Sequence, residues 1–170
     1  MLRRYANTFQ LNYRWNWEGA KTVGEFEFEP SMVFRNFWTV TLNYIQVFPS
    51  FDDENRGIVG LYRKPAGNNM VGTIQTDTRK PVNMLLHGGI TTSAKGMNTS
   101  VAFTRLTLRP TAWMEFTLGF TFVETRDEEA WVIPQYTDNG CNLFGNRDID
   151  QRDLSLRGTI TFSPRLSLQF

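Results

Sequence analysis

The chain has 170 residues, with 18 Lys and Arg against 17 Asp and Glu, and its net charge of +1 excludes the basic surface by which proteins hold nucleic acid. Hydrophobic residues at 41% and charged residues at 21% exclude disorder, and the single cysteine, Cys141, excludes an intrachain disulfide. No run of about 18 apolar residues is present, which excludes a transmembrane helix but leaves open a membrane strand, where only every second residue meets lipid.

The opening MLRRYANTFQ carries two arginines but no apolar stretch after them, so it does not read as a signal peptide. A barrel protein that crosses the inner membrane needs one, and the expectation is therefore that the chain is the later part of a longer protein. The first strand is FQLNYRWNW. Phe9, Leu11, Tyr13, Trp15 and Trp17 fall on one face and Gln10, Asn12, Arg14 and Asn16 on the other. GEFEFEPSMVF follows, with Phe26, Phe28, Met32 and Phe34 opposite Glu25, Glu27 and Glu29. Pro30 lies on its apolar side and removes one ladder donor. After a tight turn at Arg35-Asn36, FWTVTLNY alternates Trp38, Val40, Leu42 and Tyr44 with Thr39, Thr41 and Asn43.

Strands over 70–78 and 81–93 are diluted by glycine and threonine. Near 99–109 the apolar parity switches between Val101/Phe103 and Leu106/Leu108, which predicts a bulge. MEFTLGFTF sets Met114, Phe116, Leu118, Phe120 and Phe122 against Glu115, Thr117, Gly119 and Thr121. DLSLRGTITF sets Leu154, Leu156, Ile160 and Phe162 against Ser155, Arg157, Thr159 and Thr161. Ser163-Pro164-Arg165 reads as a turn, leaving Leu166–Phe170 as a stub.

Connections fall at 18–22, 35–36, 49–69, 78–81, 93–98, 109–112, 126–150 and 163–165. Short turns alternate with longer loops, the asymmetry of outer-membrane barrels. The predicted fold is all-β, an antiparallel up-and-down transmembrane β-barrel of about eight strands and a stub, as one domain over residues 1–170. Strands of about 9–11 residues suit a tilted membrane crossing.

Alternation by itself fits a soluble barrel equally well. Two features favour lipid: the strands are long, and large aromatics gather at strand ends, as in Trp15 and Trp17, Tyr44 and Phe48, Phe34 and Trp38. In a membrane barrel the aromatics face lipid, and Arg14, Glu25, Glu27, Glu29, Glu115 and Arg157 line the lumen, with Arg14 compensating the glutamates.

No catalytic set can be assembled. His87 is the one histidine, and no zinc site can be built around it, so no metal and no cofactor is expected. Glu25, Glu27 and Glu29 recur about 7 Å apart along a strand face, a crude match to the carboxylate spacing of a glycosidase. Asn146-Arg147-Asp148-Ile149-Asp150 has the acidic spacing that opens a calcium loop. Gln151 replaces its glycine, however, and Arg157 its bidentate glutamate. Trp131, Tyr136 and Phe144 occupy the long loop, where Trp131 and Tyr136 could stack on sugar rings.

Three segments resemble a known family. They are Gln151–Gly158 with Thr159–Gln169, Leu108-Arg109-Pro110-Thr111, and the loop Arg56–Pro65, in which Ile58, Val59 and Gly60 depart from the family's pattern. They are similar to an outer-membrane β-barrel family of unknown function, whose members carry the barrel behind an N-terminal module resembling family 9 carbohydrate-binding modules. In that family the last strand continues into an aromatic, proline-containing tail, where this chain stops at Phe170. The resemblance implies a C-terminal barrel fragment of the bacterial outer membrane, in contact with outer-membrane lipid and with glycans, while the near-neutral charge gives no expectation of contact with nucleic acid. The rival readings are a surface glycoside hydrolase with lumenal carboxylates and a soluble ligand-binding β-barrel.

Overall fold

The computed structural model describes residues 1–52, 62–132, 143–163 and 166–170. Eleven strands account for most of them: β1 (Leu2–Trp15), β2 (Lys21–Phe34), β3 (Thr39–Val47), β4 (Ser50–Asp52), β5 (Tyr62–Lys64), β6 (Gly67–Gln75), β7 (Val82–Ser93), β8 (Asn98–Thr111), β9 (Met114–Val132), β10 (Leu143–Ser163) and β11 (Leu166–Gln169). Nine form one sheet in the order β1-β2-β3-β6-β7-β8-β9-β10-β11, and β4 and β5 pair separately between β3 and β6. Every pairing is antiparallel. The expected all-β antiparallel meander is therefore present, but the sheet does not close into a barrel: β1 and β11 are its two edges.

Registers carry one face of each strand onto the same face of the next. Phe9 lies opposite Phe28, Phe28 opposite Tyr44, Tyr44 opposite Met70, and Met70 opposite Ile90. Further along, Leu106 faces Leu118 and Leu118 faces Leu156. The period-two patterns read from separate segments thus join into one apolar surface. Asn12, Glu25 and Val47 share a row on the opposite, polar face, as do Thr73, His87, Phe103, Thr121 and Asp153. Pro30 sits in β2 opposite Asn7, and the ladder to β3 is interrupted between Phe28 and Ser31, where proline has no N–H to donate.

Four sequence expectations are corrected. The parity switch near 99–109 is not a bulge, because the pairing of β8 with both neighbours runs unbroken from Asn98 to Leu108. Val101 and Phe103 simply lie on the polar face. The irregularities fall instead between Leu108 and Thr111 and around Asp127, whose φ is +54°. The turn placed at 109–112 is shifted, since β8 continues to Thr111. Most of the 126–150 loop is strand: β9 runs to Val132 and β10 begins at Leu143, held by cross-strand pairs such as Arg147 with Glu128. Part of the 49–69 loop is likewise the β4–β5 hairpin and the start of β6. The Pro164-Arg165 part of the last turn lies outside the described residues, but β11 does pair back antiparallel on β10.

The turns at one end of the sheet are tied together. Asp77, only 6% exposed, accepts hydrogen bonds from Arg79 Nε and Nη2, both at 2.8 Å, and from the Arg79 backbone N–H at 3.1 Å. The Arg79 guanidinium also lies 3.3 Å from the Phe37 ring centre, and Arg3 lies 4.7 Å from that same ring. The β2–β3 and β6–β7 turns are thereby joined by cation–π contact.

These hydrogen bonds from Arg79 hold the Asp77 carboxyl at about 2, below its ordinary 3.8. A depressed folded-state value stabilises the turn fully above the ordinary carboxylate range, and that contribution disappears as pH falls through about 2. Hydrogen exchange at Arg79 and Lys80 should therefore accelerate between pH 4 and pH 2 beyond its intrinsic change. In Asp77→Asn it should be fast throughout, with that extra pH dependence gone.

Candidate functional site

The two faces of the sheet differ in exposure in the reverse of a soluble protein. No hydrophobic residue is buried among the described residues, and Phe9, Leu11, Leu154, Leu156 and Phe162 are each more than 60% exposed. The buried polar side chains include Asn83, Thr107 and Thr125, none above 9% exposed, and all three lie on the polar face. That face is the concave one. A cavity of about 420 Å³ is lined at once by Glu25 on β2 and Glu129 on β9. In a flat sheet those strands would lie about 24 Å apart, at about 4.8 Å per step.

The apolar face ends along a definite line. Gln46, Asn68, Thr92, Asn98 and Arg126 occupy one row, strand by strand. Tyr44, one pair of residues below it, donates its hydroxyl to Asn68 Oδ1 at 2.8 Å and lies 2.9 Å from Gln46 Oε1. Its ring stays on the apolar side. On β9 and β10 charges reach the same face at the line and one pair below it, in the row of Tyr44. Arg126, in the line, contacts Glu124 at 2.6 Å and Asp150 at 3.6 Å, both in that row, and Asp148 at 3.9 Å. The suspected calcium motif is therefore strand, its carboxylates answered by an arginine. No group of three His, Cys, Asp or Glu side chains able to hold a metal forms among the described residues.

The register places Arg14, Glu25, Glu27, Glu29, Glu115 and Arg157 together on the polar face, although not in one cluster. Arg14 forms no ion pair with the glutamates. Asn43 holds them instead, its amide donating to Glu27 Oε1 at 2.5 Å and lying 3.3 Å from Glu29 Oε2. Glu115 pairs with Arg109 at 2.6 Å near the opposite end. Asn43 was visible in the sequence only as a polar-parity residue of FWTVTLNY. Its role needed the β2–β3 register.

At the mouth of the concave face, Lys95 contacts Glu129 Oε2 at 2.5 Å and the Tyr62 hydroxyl at 3.2 Å, and Tyr62 donates to Glu129 at 2.9 Å. Tyr62 stacks on Phe144 with ring centres 4.8 Å apart, and Lys95 lies 5.0 Å from the Tyr62 ring centre. Burial pushes the Tyr62 hydroxyl above its usual value. This contact latches β5 across the sheet onto β9 and β10, which no local pattern could reveal. His87 is satisfied structurally, with Nδ1 3.0 Å from the Thr73 hydroxyl. The Trp131 backbone pairs with Phe144, but its side chain, like Tyr136 and Cys141, lies outside the described residues.

Residues 1–170 match the family described as Domain of unknown function (DUF5916). The chain belongs to this family. Comparison with the curated proteins and with the solved structures found no match. For this DUF5916 chain, the site is thus defined by its own geometry: an exposed apolar face bounded by a polar row, and a concave polar face with a latched hairpin at one end.

Proposed function

We propose that this chain is a non-enzymatic outer-membrane β-barrel domain of the bacterial cell surface. Its apolar face lies against lipid, its polar face lines the interior, and it serves the binding or handling of glycans. One observation carries the membrane reading: the hydrophobic side chains are exposed while Asn83, Thr107 and Thr125 are buried. In water that arrangement forfeits the main driving force of folding, whereas in a bilayer it is the stable one. It also argues against a soluble barrel with an apolar cavity.

The apolar band has a suitable height. From Met114 to Phe122 the outward residues of β9 are apolar, a span of eight residue steps or about 27 Å along the strand. With a strand tilt of about 40° this becomes about 21 Å, close to the band of about 25 Å in outer-membrane barrels. Tyr44, with an apolar ring and a bonded hydroxyl at the edge of the band, suits the interface. Open edges are costly in hydrocarbon, so the reading requires β1 and the β10–β11 edge to be paired in the membrane by further strands.

The glycan part of the reading rests on the family resemblance and on the presence in the sequence of Trp131 and Tyr136, aromatic residues of the kind that stack on sugar rings. The glycosidase alternative gains no observation, since Glu27 and Glu29 are both engaged by the Asn43 amide.

Fractionation of cells exporting the protein tests the membrane reading. The chain should sediment with the outer membrane, withstand an alkaline wash and require detergent for release. A folded chain in the aqueous fraction would overturn it. Migration through gels containing cell-surface polysaccharide tests the glycan reading. Unretarded migration, equal to that of Trp131→Ala, removes that part.

A further inference from the structure

The geometry points to an oxyanion-binding site on the concave face, at the end remote from the Tyr62 latch, that takes a carboxylate or phosphate group carried by a small solute. A recess of about 540 Å³ there is lined by Arg105, Arg157, Asn83, Thr117, Gly119 and Ser155, among others. Arg105 on β8, Gly119 on β9 and Ser155 on β10 share one row, and Thr107, Thr117 and Arg157 share the next. Two guanidinium side chains therefore flank β9 from strands about 10 Å apart, on the concave side, where long side chains converge.

Three observations mark this recess as built for an anion. First, neither Arg105 nor Arg157 has an ion pair or side-chain hydrogen bond among the described residues. The other arginine in the recess, Arg109, is already engaged by Glu115 at 2.6 Å and by the Thr78 carbonyl at 2.8 Å. The one carboxylate present is thus neutralised, leaving two positive charges unanswered. Second, the Asn83 side chain is 9% exposed and its buried Nδ2 donor has no partner. A buried amide donor left unsatisfied is costly, and an incoming oxygen would relieve that cost. Third, the floor is kept low at Gly119, where a Cβ would come within 2.6 Å of the Ser155 hydroxyl. The glycine leaves that hydroxyl beside the opening between the arginines.

Arginine suits this chemistry because its planar fork of donors matches two oxygens of a carboxylate or phosphate. The row of Glu25, Glu27 and Glu29 on β2 belongs to the other part of the face, so the concave surface is divided by charge. An anionic solute is repelled at one region and held at the other.

Titration of the chain in non-ionic detergent, or in plain buffer if it needs none, tests this independently of the membrane reading. The probes are inorganic phosphate, glucuronate and glucose, followed by calorimetry. Saturable binding of phosphate, glucuronate or both is expected, weakening with added salt, with no response to glucose. Binding of only one anion assigns the oxyanion's source. Arg105→Gln and Arg157→Gln should each weaken it about tenfold or more, with the far-ultraviolet spectrum unchanged because both side chains are exposed. Arg14→Gln, on the same face but outside the recess, should bind as the parent does. The site is refuted if neither anion saturates, if glucose binds as tightly as glucuronate, or if both arginine replacements leave affinity unchanged.

Discussion

Leu118→Arg should cost about 2–4 kcal/mol of stability in lipid vesicles, the penalty for a cation at the centre of a barrel's outer band. Leu118 lies midway along the apolar run of β9, between Phe116 and Phe120, and is 43% exposed. In water an arginine at so exposed a position changes stability by no more than about 0.5 kcal/mol, because the guanidinium keeps its hydration. Against hydrocarbon the same group loses that hydration without gaining a partner. Thr121→Arg is the matched control. It lies on the concave face beside Asp153, which could pair with the new charge, so its effect should be small. Denaturant unfolding of the lipid-inserted protein measures both. Equal stability of Leu118→Arg and the parent would leave the exposed apolar face without a solvent to explain it.

Gly89→Val is expected to destabilise the sheet by about 3 kcal/mol. The Cβ would stand 2.7 Å from the Met70 carbonyl oxygen and 2.8 Å from Val71 Cγ2. The nearest atom is backbone, fixed by the pairing of β6 with β7, so the strain cannot be relieved by turning a side chain. Gly72→Ala is the contrast, since its closest neighbour would be the Gly88 carbonyl oxygen at 3.9 Å. It should be neutral or stabilising by about 0.4–1 kcal/mol through lost freedom of the unfolded chain. The same unfolding measurement separates the two. A Gly89→Val protein as stable as the parent would show that Val71 and Gly89 are not cross-strand partners.

These expectations rest on features of unequal visibility in the sequence. Leu118 was legible as an outward residue because five apolar side chains alternate with polar ones over MEFTLGFTF, and a strand assigns faces by parity alone. The Gly89 constraint was not legible. The LLHGGI segment looks merely diluted, and the close approach exists only once β6 supplies a carbonyl across the ladder. The 126–150 stretch misled for a related reason. Its acids and arginines resemble a solvated loop, yet Arg147 with Glu128 and Arg126 with Asp150 are cross-strand pairs that extend the hairpin. Likewise Val101 and Phe103 looked like a register shift, because an apolar pair on the polar face mimics a bulge when a strand is read without its neighbours.

The sequence by itself determined that the chain makes long antiparallel strands, where most of them lie, and which side chains share a face, since these follow from a two-residue period and from turn residues acting locally. The direction in which the sheet curls, the burial of polar rather than apolar side chains, the open edges, the Tyr62 latch and the placing of Arg105 and Arg157 in one recess were decided only in the tertiary structure. Each depends on residues brought together across several strands, and the free energy that places them has no term confined to one stretch of chain.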